Sequence, residues 1–121
     1  TELLMPKRPY AGLFGGFIWS HIKRADILHF VATCLSQLET QGELIFIDNR
    51  YFAGSSTPIS RVDVQGNQYQ IRKLKSGEAF EVVKNFPSQA EFAHLIGVQL
   101  GQFEWVELDY YWIAKFVKGG N

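Results

Sequence analysis

Two runs of apolar residues in this sequence each stop abruptly at polar residues. Residues 13–19 end at Ser20 and His21, and residues 44–47 end at Asp48 and Asn49. Strands that are apolar on both faces are typical of parallel sheets that helices cover on both sides. Ligands of such sheets bind just beyond the carboxyl ends of the strands. The pattern therefore predicts a functional site at these four polar residues.

A helix is predicted between the two strands. Apolar residues recur at three- and four-residue spacing within residues 23–38, which is the pattern of a helix with one apolar stripe. Gly42 stands where a left-handed residue is expected to end this helix. We therefore expect strands at residues 10–19 and 43–48, joined by a right-handed crossover helix. The glycines inside the first strand indicate close approach by another backbone or by a ligand.

The rest of the sequence predicts hairpins, a helix and a final pair of strands. Residues 61–84 alternate in polarity around turn signals at Gly66 and Gly77, which indicates one or two β-hairpins. Ser88 and Glu91 are spaced as a capping box for a helix that extends to about residue 100. The remaining predictions are a linker at residues 1–9, a loop at 53–58, and antiparallel strands at 103–108 and 110–117, at the edge of the sheet.

Composition limits the class of protein. The chain has 121 residues, 46% of them hydrophobic and 20% charged, which suits a single globular domain. Its 12 basic and 12 acidic residues cancel, so the charge favours neither a nucleic-acid partner nor an anionic membrane. The single cysteine, Cys34, excludes an intrachain disulfide and is expected to pack on the apolar face of the helix. Because no apolar run approaches the about 20 residues of a membrane span, we expect a soluble, cytoplasmic protein.

Several segments, together with the order of the elements, carry a resemblance to a known family. The segments are GFIWSH at 16–21, LIFIDNRY at 44–51, GSSTPI at 54–59, VKNFPS at 83–88 and DYYW at 109–112. They resemble the second half of the class I S-adenosylmethionine-dependent methyltransferases of the bacterial small-molecule type. The resemblance covers residues 10–118. It implies an α/β fold with a partial Rossmann-like sheet: a parallel strand–helix–strand unit, an inserted β-hairpin, a helix and a terminal antiparallel strand pair. It also implies S-adenosylmethionine as the cofactor and a small molecule as the methyl acceptor.

One feature of that family is absent from this sequence. The family has a glycine-rich turn after its first strand, followed by an acidic residue that ends the second strand and holds the cofactor. The glycines at 12–16 lie inside an apolar strand and open no helix, so they do not form that turn. We therefore expect residues 1–121 to be the carboxy-terminal, substrate-side part of a methyltransferase domain, inactive alone. Within it, residues 10–49 are the strand–helix–strand unit, 50–86 the loop and hairpin insertion, and 87–118 the helix and terminal hairpin.

His21 and Asp48 are the candidate catalytic residues. An oxygen or carbon nucleophile usually must lose a proton before it accepts a methyl group, and a histidine or carboxylate at a strand end is a suitable base. Capping or a loop hydrogen bond is an equally weighted alternative for each of them. By the resemblance, Trp19 and Ser20 lie beside the cofactor. For Trp19, the apolar strand alone favours the alternative of a core position.

Asn49, Arg50 and Tyr51 follow the second strand and are candidates for substrate binding. Arg50 and Tyr51 suit an acidic or aromatic substrate. The hydroxyl-rich loop at 55–57 is a further candidate, although a plain surface turn is the simpler interpretation. His29 and His94 lie within predicted helices without paired carboxylates, so we expect no metal site.

Other functions than that of a methyltransferase fragment stay open for this sequence. Basic and aromatic residues are interleaved in the insertion, as in nucleic-acid binding, but the neutral chain favours a hairpin over an active site or at a subunit contact. A stand-alone, non-enzymatic domain that binds a ligand or forms a homodimer is the second hypothesis, because the edge of the first strand requires cover. Half of a nicotinamide-dependent enzyme is the third, and the terminal antiparallel pair speaks against it.

Overall fold

The structure is a computed structural model that describes residues 9–96 and 102–119. Nine helices and strands follow one another in this part of the chain. They are β1 (Tyr10–Gly16), α1 (Ile27–Ser36), β2 (Leu38–Asn49), β3 (Arg61–Val62), β4 (Gln68–Lys73), β5 (Ala79–Val83), α2 (Gln89–Ile96), β6 (Gln102–Glu107) and β7 (Tyr111–Val117).

The strands form two sheets. The larger has the order β1-β2-β7-β6, in which β1 and β2 are parallel and the other neighbours are antiparallel. The smaller sheet has the order β3-β4-β5 and is antiparallel throughout. The parallel strand–helix–strand unit, the two inserted hairpins and the terminal antiparallel pair are therefore confirmed as elements of an α/β fold. The last helix lies between the insertion and the terminal pair, as predicted.

The first strand is shorter than expected. It ends at Gly16 because Phe17 adopts a left-handed backbone conformation (φ 59°) and its amide donates to the carbonyl of Ile47 at 2.8 Å. A 3-10 turn at Trp19–His21 follows it. The prediction of a strand through Trp19 was therefore wrong, since a left-handed residue turns the chain out of the sheet. The polar tip lies in a helical turn next to the strand end.

The boundary between α1 and β2 also differs from the prediction. The helix ends at Ser36 and β2 begins at Leu38, so Gly42 lies inside the strand rather than at a helix end. The left-handed residue is Gln41 (φ 69°), whose amide donates to the carbonyl of Lys118 at 3.0 Å. A Cβ on Gly42 would lie 2.8 Å from the carbonyl oxygen of Glu39. Because a side chain at this position would collide with the backbone, glycine is needed at this irregular part of the strand.

Both helices contribute to one core on a single face of the large sheet. The core is aromatic, and Phe92 of α2 is its centre, with a ring centroid 4.3 Å from that of Trp19 and 5.5 Å from that of Phe116. On the opposite face, Phe14 of β1 is 69% exposed. Within the described residues, helices therefore cover one face of the large sheet only, whereas the sequence predicted helices on both faces.

The helices carry several of the predicted local features. The Ser88 hydroxyl accepts the amide of Glu91 at 3.1 Å, and the Ser88 amide donates to the Glu91 carboxylate at 3.2 Å, which confirms the capping box. Cys34 is partly buried against the core, and burial raises the pKa of its thiol, so the packing role is supported. His29 and His94 are exposed on α1 and α2. In residues 9–96 and 102–119 there is no helix of the length and hydropathy that crossing a membrane requires.

Gly15 provides a test of the packing between β1 and the core. A Cβ at this position would lie 2.7 Å from the ring of Phe46 and 3.0 Å from Ile18. We expect Gly15→Ala to lower the free energy of unfolding by about 1–3 kcal/mol, because the core ring must move. In the matched control Gly12→Ala, the nearest atom is the Glu43 carbonyl oxygen at 3.6 Å, an ordinary contact. Urea denaturation that gave equal losses for both variants would contradict this packing.

The first turn of the inserted sheet is organised by Asp63. Its carboxylate accepts hydrogen bonds from the amides of Gln65 and Asn67 and from the Tyr69 hydroxyl, the last at 2.9 Å. Asn67 in turn accepts the amide of Arg24 at 2.7 Å, which attaches the insertion to the segment before α1. Desolvation alone would raise the pKa of Asp63, but the hydrogen bonds from Asn67 and Tyr69 outweigh it and lower the pKa to about 2.

This pKa gives a pH-dependent contribution to stability. Because the pKa of Asp63 is lowered from 3.8 to about 2 on folding, its stabilising effect is complete above pH 3.8 and is lost as the pH falls towards 2. We expect Asp63→Asn to destabilise the protein at neutral pH and to have a shrinking effect through that window. Carbon-detected NMR titration of the side chain measures the pKa directly. A midpoint near 3.8 would contradict the hydrogen-bonded turn.

Candidate functional site

A cleft of about 320 Å³ opens at the carboxyl end of β2. Its walls come from the end of β2 and the segment after it, from one face of β4, from the residues after β5 and from the β6–β7 turn. The residues that line it are Asn49, Arg50, Ser55, Ser56, Thr57, Gln70, Arg72, Lys84, Phe86, Tyr110 and Tyr111. The cleft therefore lies where a ligand of a parallel strand pair is expected.

A buried lysine joins the cleft to the core. The Lys84 ammonium donates to the Ser20 hydroxyl at 2.9 Å, to the Asn49 amide oxygen at 3.0 Å and to the Asp48 carboxylate at 3.2 Å. Ser20 and Asp48 are fully buried and Lys84 is 6% exposed. This Lys84 cluster (Ser20, Asp48, Asn49 and Lys84) brings together the two polar strand tips that the apolar runs predicted, with a cation between them.

The Asp48 carboxylate is a structural anchor within this cluster. It accepts hydrogen bonds from the backbone amide of Ser20 at 2.8 Å and from that of Asn49 at 2.7 Å, in addition to the one from the Lys84 ammonium. Both oxygens are engaged, and the residue has no exposed surface. The arrangement fixes the Trp19–His21 turn to β2, and a role of Asp48 as proton acceptor stays a prediction.

His21 is exposed on the same turn. Its Nδ1 lies 2.8 Å from the carbonyl oxygen of Val83, at the end of β5. A carbonyl oxygen only accepts, so Nδ1 is the donor in this contact and Nε2 is the ring nitrogen that faces away from it. His21 does not itself line the cleft. The adjacent Ser20 is hydrogen-bonded to Lys84, which does line the cleft.

Trp19 is a core residue in this structure. It is 2% exposed, and its indole stacks on Phe92. This agrees with the core position that the apolar strand favoured for Trp19.

The two residues before Trp19, Phe17 and Ile18, are 49% and 42% exposed at the end of β1. The ring of Phe17 lies 6.0 Å from that of Tyr111, a wall of the cleft.

The predicted substrate residues divide between two clefts. Asn49 and Arg50 line the 320 Å³ cleft, together with the hydroxyl-rich loop at 55–57. Tyr51 lines a neighbouring cleft of about 230 Å³, to which Arg50 also contributes. Arg50 is held by a hydrogen bond to the Leu108 carbonyl at 2.7 Å and by Glu107 at 3.6 Å. These residues therefore line clefts after β2, and their role in substrate binding stays a prediction.

The opposite walls were missed as site residues. Gln70 projects from β4 and donates to the Thr57 carbonyl at 2.9 Å, which fixes the loop over the cleft. Phe86, Tyr110 and Tyr111 supply aromatic surface. The sequence favoured a hairpin over an active site or at a subunit contact for the insertion, and β4 of the insertion does line this cleft. The sequence did not indicate which residues of β4 face the cleft, or that the aromatic turn between β6 and β7 meets the end of β2.

Solved structures share the fold of this chain. No protein-family model matches the sequence, and no curated protein matches it. A complex of DhpI with SAH has a TM-score of 0.72 and 18% identity over 98% of this chain and 52% of that chain. A complex of DhpI with SAM and HEP has a TM-score of 0.70 and 19% identity, over 93% of this chain and 52% of that chain.

A third solved structure agrees with these two. An S-adenosylmethionine-dependent methyltransferase from Clostridium acetobutylicum ATCC 824 has a TM-score of 0.64 and 13% identity, over 98% of this chain and 62% of that chain. The chain has a partial class I methyltransferase fold. It spans about half the length of the first of these structures. The resemblance in fold is thereby confirmed, and S-adenosylmethionine is the cofactor of the methyltransferases that share it.

Proposed function

We propose that this chain forms the substrate-side part of an S-adenosylmethionine-dependent methyltransferase that acts on a small molecule. The observation that carries the proposal is the 320 Å³ cleft at the carboxyl end of β2, in a fold shared with methyltransferases. A cleft of this size suits a small acceptor rather than a polymer. The chain alone is proposed to be inactive, because the glycine-rich turn that holds the cofactor in this family is absent from its sequence.

The cofactor side of the proposed site is the end of β1. Phe17 and Ile18 present exposed apolar surface there, which fits contact with the apolar parts of S-adenosylmethionine. Trp19 and Ser20 follow them in the sequence and are buried, and we propose that they support this wall from the core. When bound, the cofactor supplies a methyl group on a sulfonium, and the sulfur leaves as a neutral thioether. The chain's own contribution is to position the acceptor for in-line transfer.

The acceptor side is the cleft itself. Asn49 and Arg50 are proposed to bind the acceptor, and Tyr51 to bind part of it that extends into the neighbouring cleft. The edge contact between Phe17 and Tyr111 links this side to the end of β1. Since both aromatic rings are partly exposed, a bound acceptor and a bound cofactor would share one continuous surface.

His21 is proposed as the base that accepts a proton from an oxygen acceptor. Its Nε2 is the free nitrogen, because Nδ1 faces the Val83 carbonyl. Asp48 is proposed to position the turn that carries His21, since the Ser20 amide is bonded to its carboxylate. We expect His21→Gln to lower kcat of the complete enzyme about 100-fold, whereas His29→Gln on α1 leaves it unchanged. A kcat for His21→Gln equal to that of His29→Gln would contradict the assignment.

Binding of S-adenosylhomocysteine to the complete protein that carries this chain tests the proposal. Isothermal titration calorimetry is expected to show one saturable site per chain. Nicotinamide adenine dinucleotide serves as the comparison, and we expect no saturable heat from it. A protein that is folded by circular dichroism and gives no heat with S-adenosylhomocysteine would contradict the proposed function.

The exposed strand β1 supports a second candidate function, a non-enzymatic domain that dimerises. Within the described residues β1 pairs with β2 alone, and its Phe14 is 69% exposed. A homodimer would cover this edge. Light scattering of the 121-residue chain distinguishes the two candidates. A dimer that Phe14→Lys dissociates supports the dimerising domain, and a monomer at all concentrations contradicts it.

The cytoplasmic location and the lack of a nucleic-acid partner stay predictions.

A further inference from the structure

We propose that the 320 Å³ cleft binds a small organic anion through Arg72, so that the acceptor carries a carboxylate or a phosphate group. This inference rests on the proposed function, in which the cleft holds the acceptor. It adds the charge class of that acceptor and a binding residue that lies in the insertion rather than after β2.

The charges around the cleft favour an anion. Arg50, Arg72 and Lys84 line it, and none of the described residues that line it is acidic. The whole chain is neutral, so this local excess is a property of the cleft. Clefts lined by one sign of charge raise the local concentration of oppositely charged ligands.

Two of these three cations already have partners. The Lys84 ammonium is balanced by the buried Asp48 carboxylate at 3.2 Å. The Arg50 guanidinium donates to the Leu108 carbonyl and lies 3.6 Å from the Glu107 carboxylate. In contrast, the Arg72 guanidinium makes no hydrogen bond or ion pair to another side chain among residues 9–96 and 102–119. Its donors remain available for a ligand.

The register of the inserted sheet explains why Arg72 has no acidic neighbour. Arg72 lies opposite Phe80, whereas Ile71 lies opposite Glu81. Side chains alternate between faces along a strand, so Glu81 points away from the cleft and pairs with Arg61 at 2.8 Å. Arg72 shares the cleft face of β4 with Gln70, which is already bonded to the loop at Thr57.

The remaining walls define the rest of the ligand. Phe86, Tyr110 and Tyr111 supply aromatic surface, and the hydroxyls of Ser55, Ser56 and Thr57 supply hydrogen-bond donors in the same cleft. A planar guanidinium binds carboxylate and phosphate oxygens with two parallel hydrogen bonds. The cleft thus fits a molecule with an oxyanion at one end and a flat apolar part at the other.

Calorimetric titration of the complete protein with phenyl phosphate and with benzoate tests this inference. We expect saturable binding of at least one of them, and the tighter probe identifies the oxyanion as phosphate or carboxylate. Benzyl alcohol, which lacks the charge, is expected to bind at least about tenfold more weakly. Arg72→Gln should weaken the binding of the better probe about tenfold or more.

Lys73→Gln is the matched control, because it removes the same charge from the adjacent residue on the other face of β4. We expect it to change the affinity less than about twofold. Equal effects of Arg72→Gln and Lys73→Gln, equal affinity for benzyl alcohol, or no saturable binding of either anion would overturn the inference. The titration needs no cofactor, so its failure is distinguishable from a failure to bind S-adenosylhomocysteine.

Discussion

Replacing Lys84 by methionine is expected to lower the free energy of unfolding by about 3–5 kcal/mol. The Lys84 ammonium faces a fully buried carboxylate, that of Asp48, and has two further acceptors in Ser20 and Asn49. Methionine fills a similar volume without a charge. It therefore leaves the Asp48 carboxylate buried without its counter-ion, and this uncompensated charge is the source of the loss. Chemical denaturation of the wild type and the variant measures it.

Two companion variants separate the buried charge from other causes. The double variant Lys84→Met with Asp48→Asn is expected to recover at least about 1 kcal/mol relative to Lys84→Met alone, because it removes the unpaired charge. Lys115→Met is the control for an exposed pair, since Lys115 lies 3.2 Å from Glu43 with both side chains more than a third exposed. It should cost less than about 1 kcal/mol. Similar losses for Lys84→Met and Lys115→Met would contradict a buried ion pair.

Replacing Phe92 by alanine is the second large effect that we expect. Phe92 is fully buried, and its ring contacts five other aromatic rings. The aromatic neighbours come from β6, β7 and the turn after β1, so they cannot close the cavity by moving one element. We expect a loss of about 3–5 kcal/mol in the free energy of unfolding, measured by denaturation with urea.

Phe80→Ala is the matched control for this core variant. Phe80 lies on β5 of the inserted sheet and is 48% exposed. Its truncation should change the free energy of unfolding by less than about 1 kcal/mol. The near-UV circular dichroism signal should also fall in Phe92→Ala, because Trp19 loses its stacking partner. A loss for Phe92→Ala no greater than that for Phe80→Ala would contradict the placement of α2 against the sheet.

The features that local sequence determines were predicted well. The capping box needs only Ser88 and Glu91, which lie three positions apart. The two turns of the inserted sheet need only glycines that adopt positive φ, and Gly66 and Gly77 have φ angles of 88° and 93°. Amphipathic spacing likewise located α1, although not its ends. Such signals are contained within a few residues, so one sequence is enough to identify them.

Features that depend on distant contacts were not predicted. Lys84 is separated by 35 residues from Asn49 and by 64 from Ser20 along the chain. Its neighbours in sequence gave no sign of a buried ion pair. The left-handed Gln41 inside β2 is likewise held by the backbone of Lys118. These contacts arise from the order of strands in the sheet, which local sequence patterns do not determine.

A crystal structure of the complete protein with S-adenosylhomocysteine would show whether the end of β1 and the 320 Å³ cleft form the cofactor and acceptor sides of one methyltransferase site. We predict S-adenosylhomocysteine in contact with Phe17 or Ile18, with its sulfur facing the cleft beside Asn49. S-adenosylhomocysteine bound away from the end of β1, or a cleft filled by a second copy of this chain, would rule out this arrangement of the site.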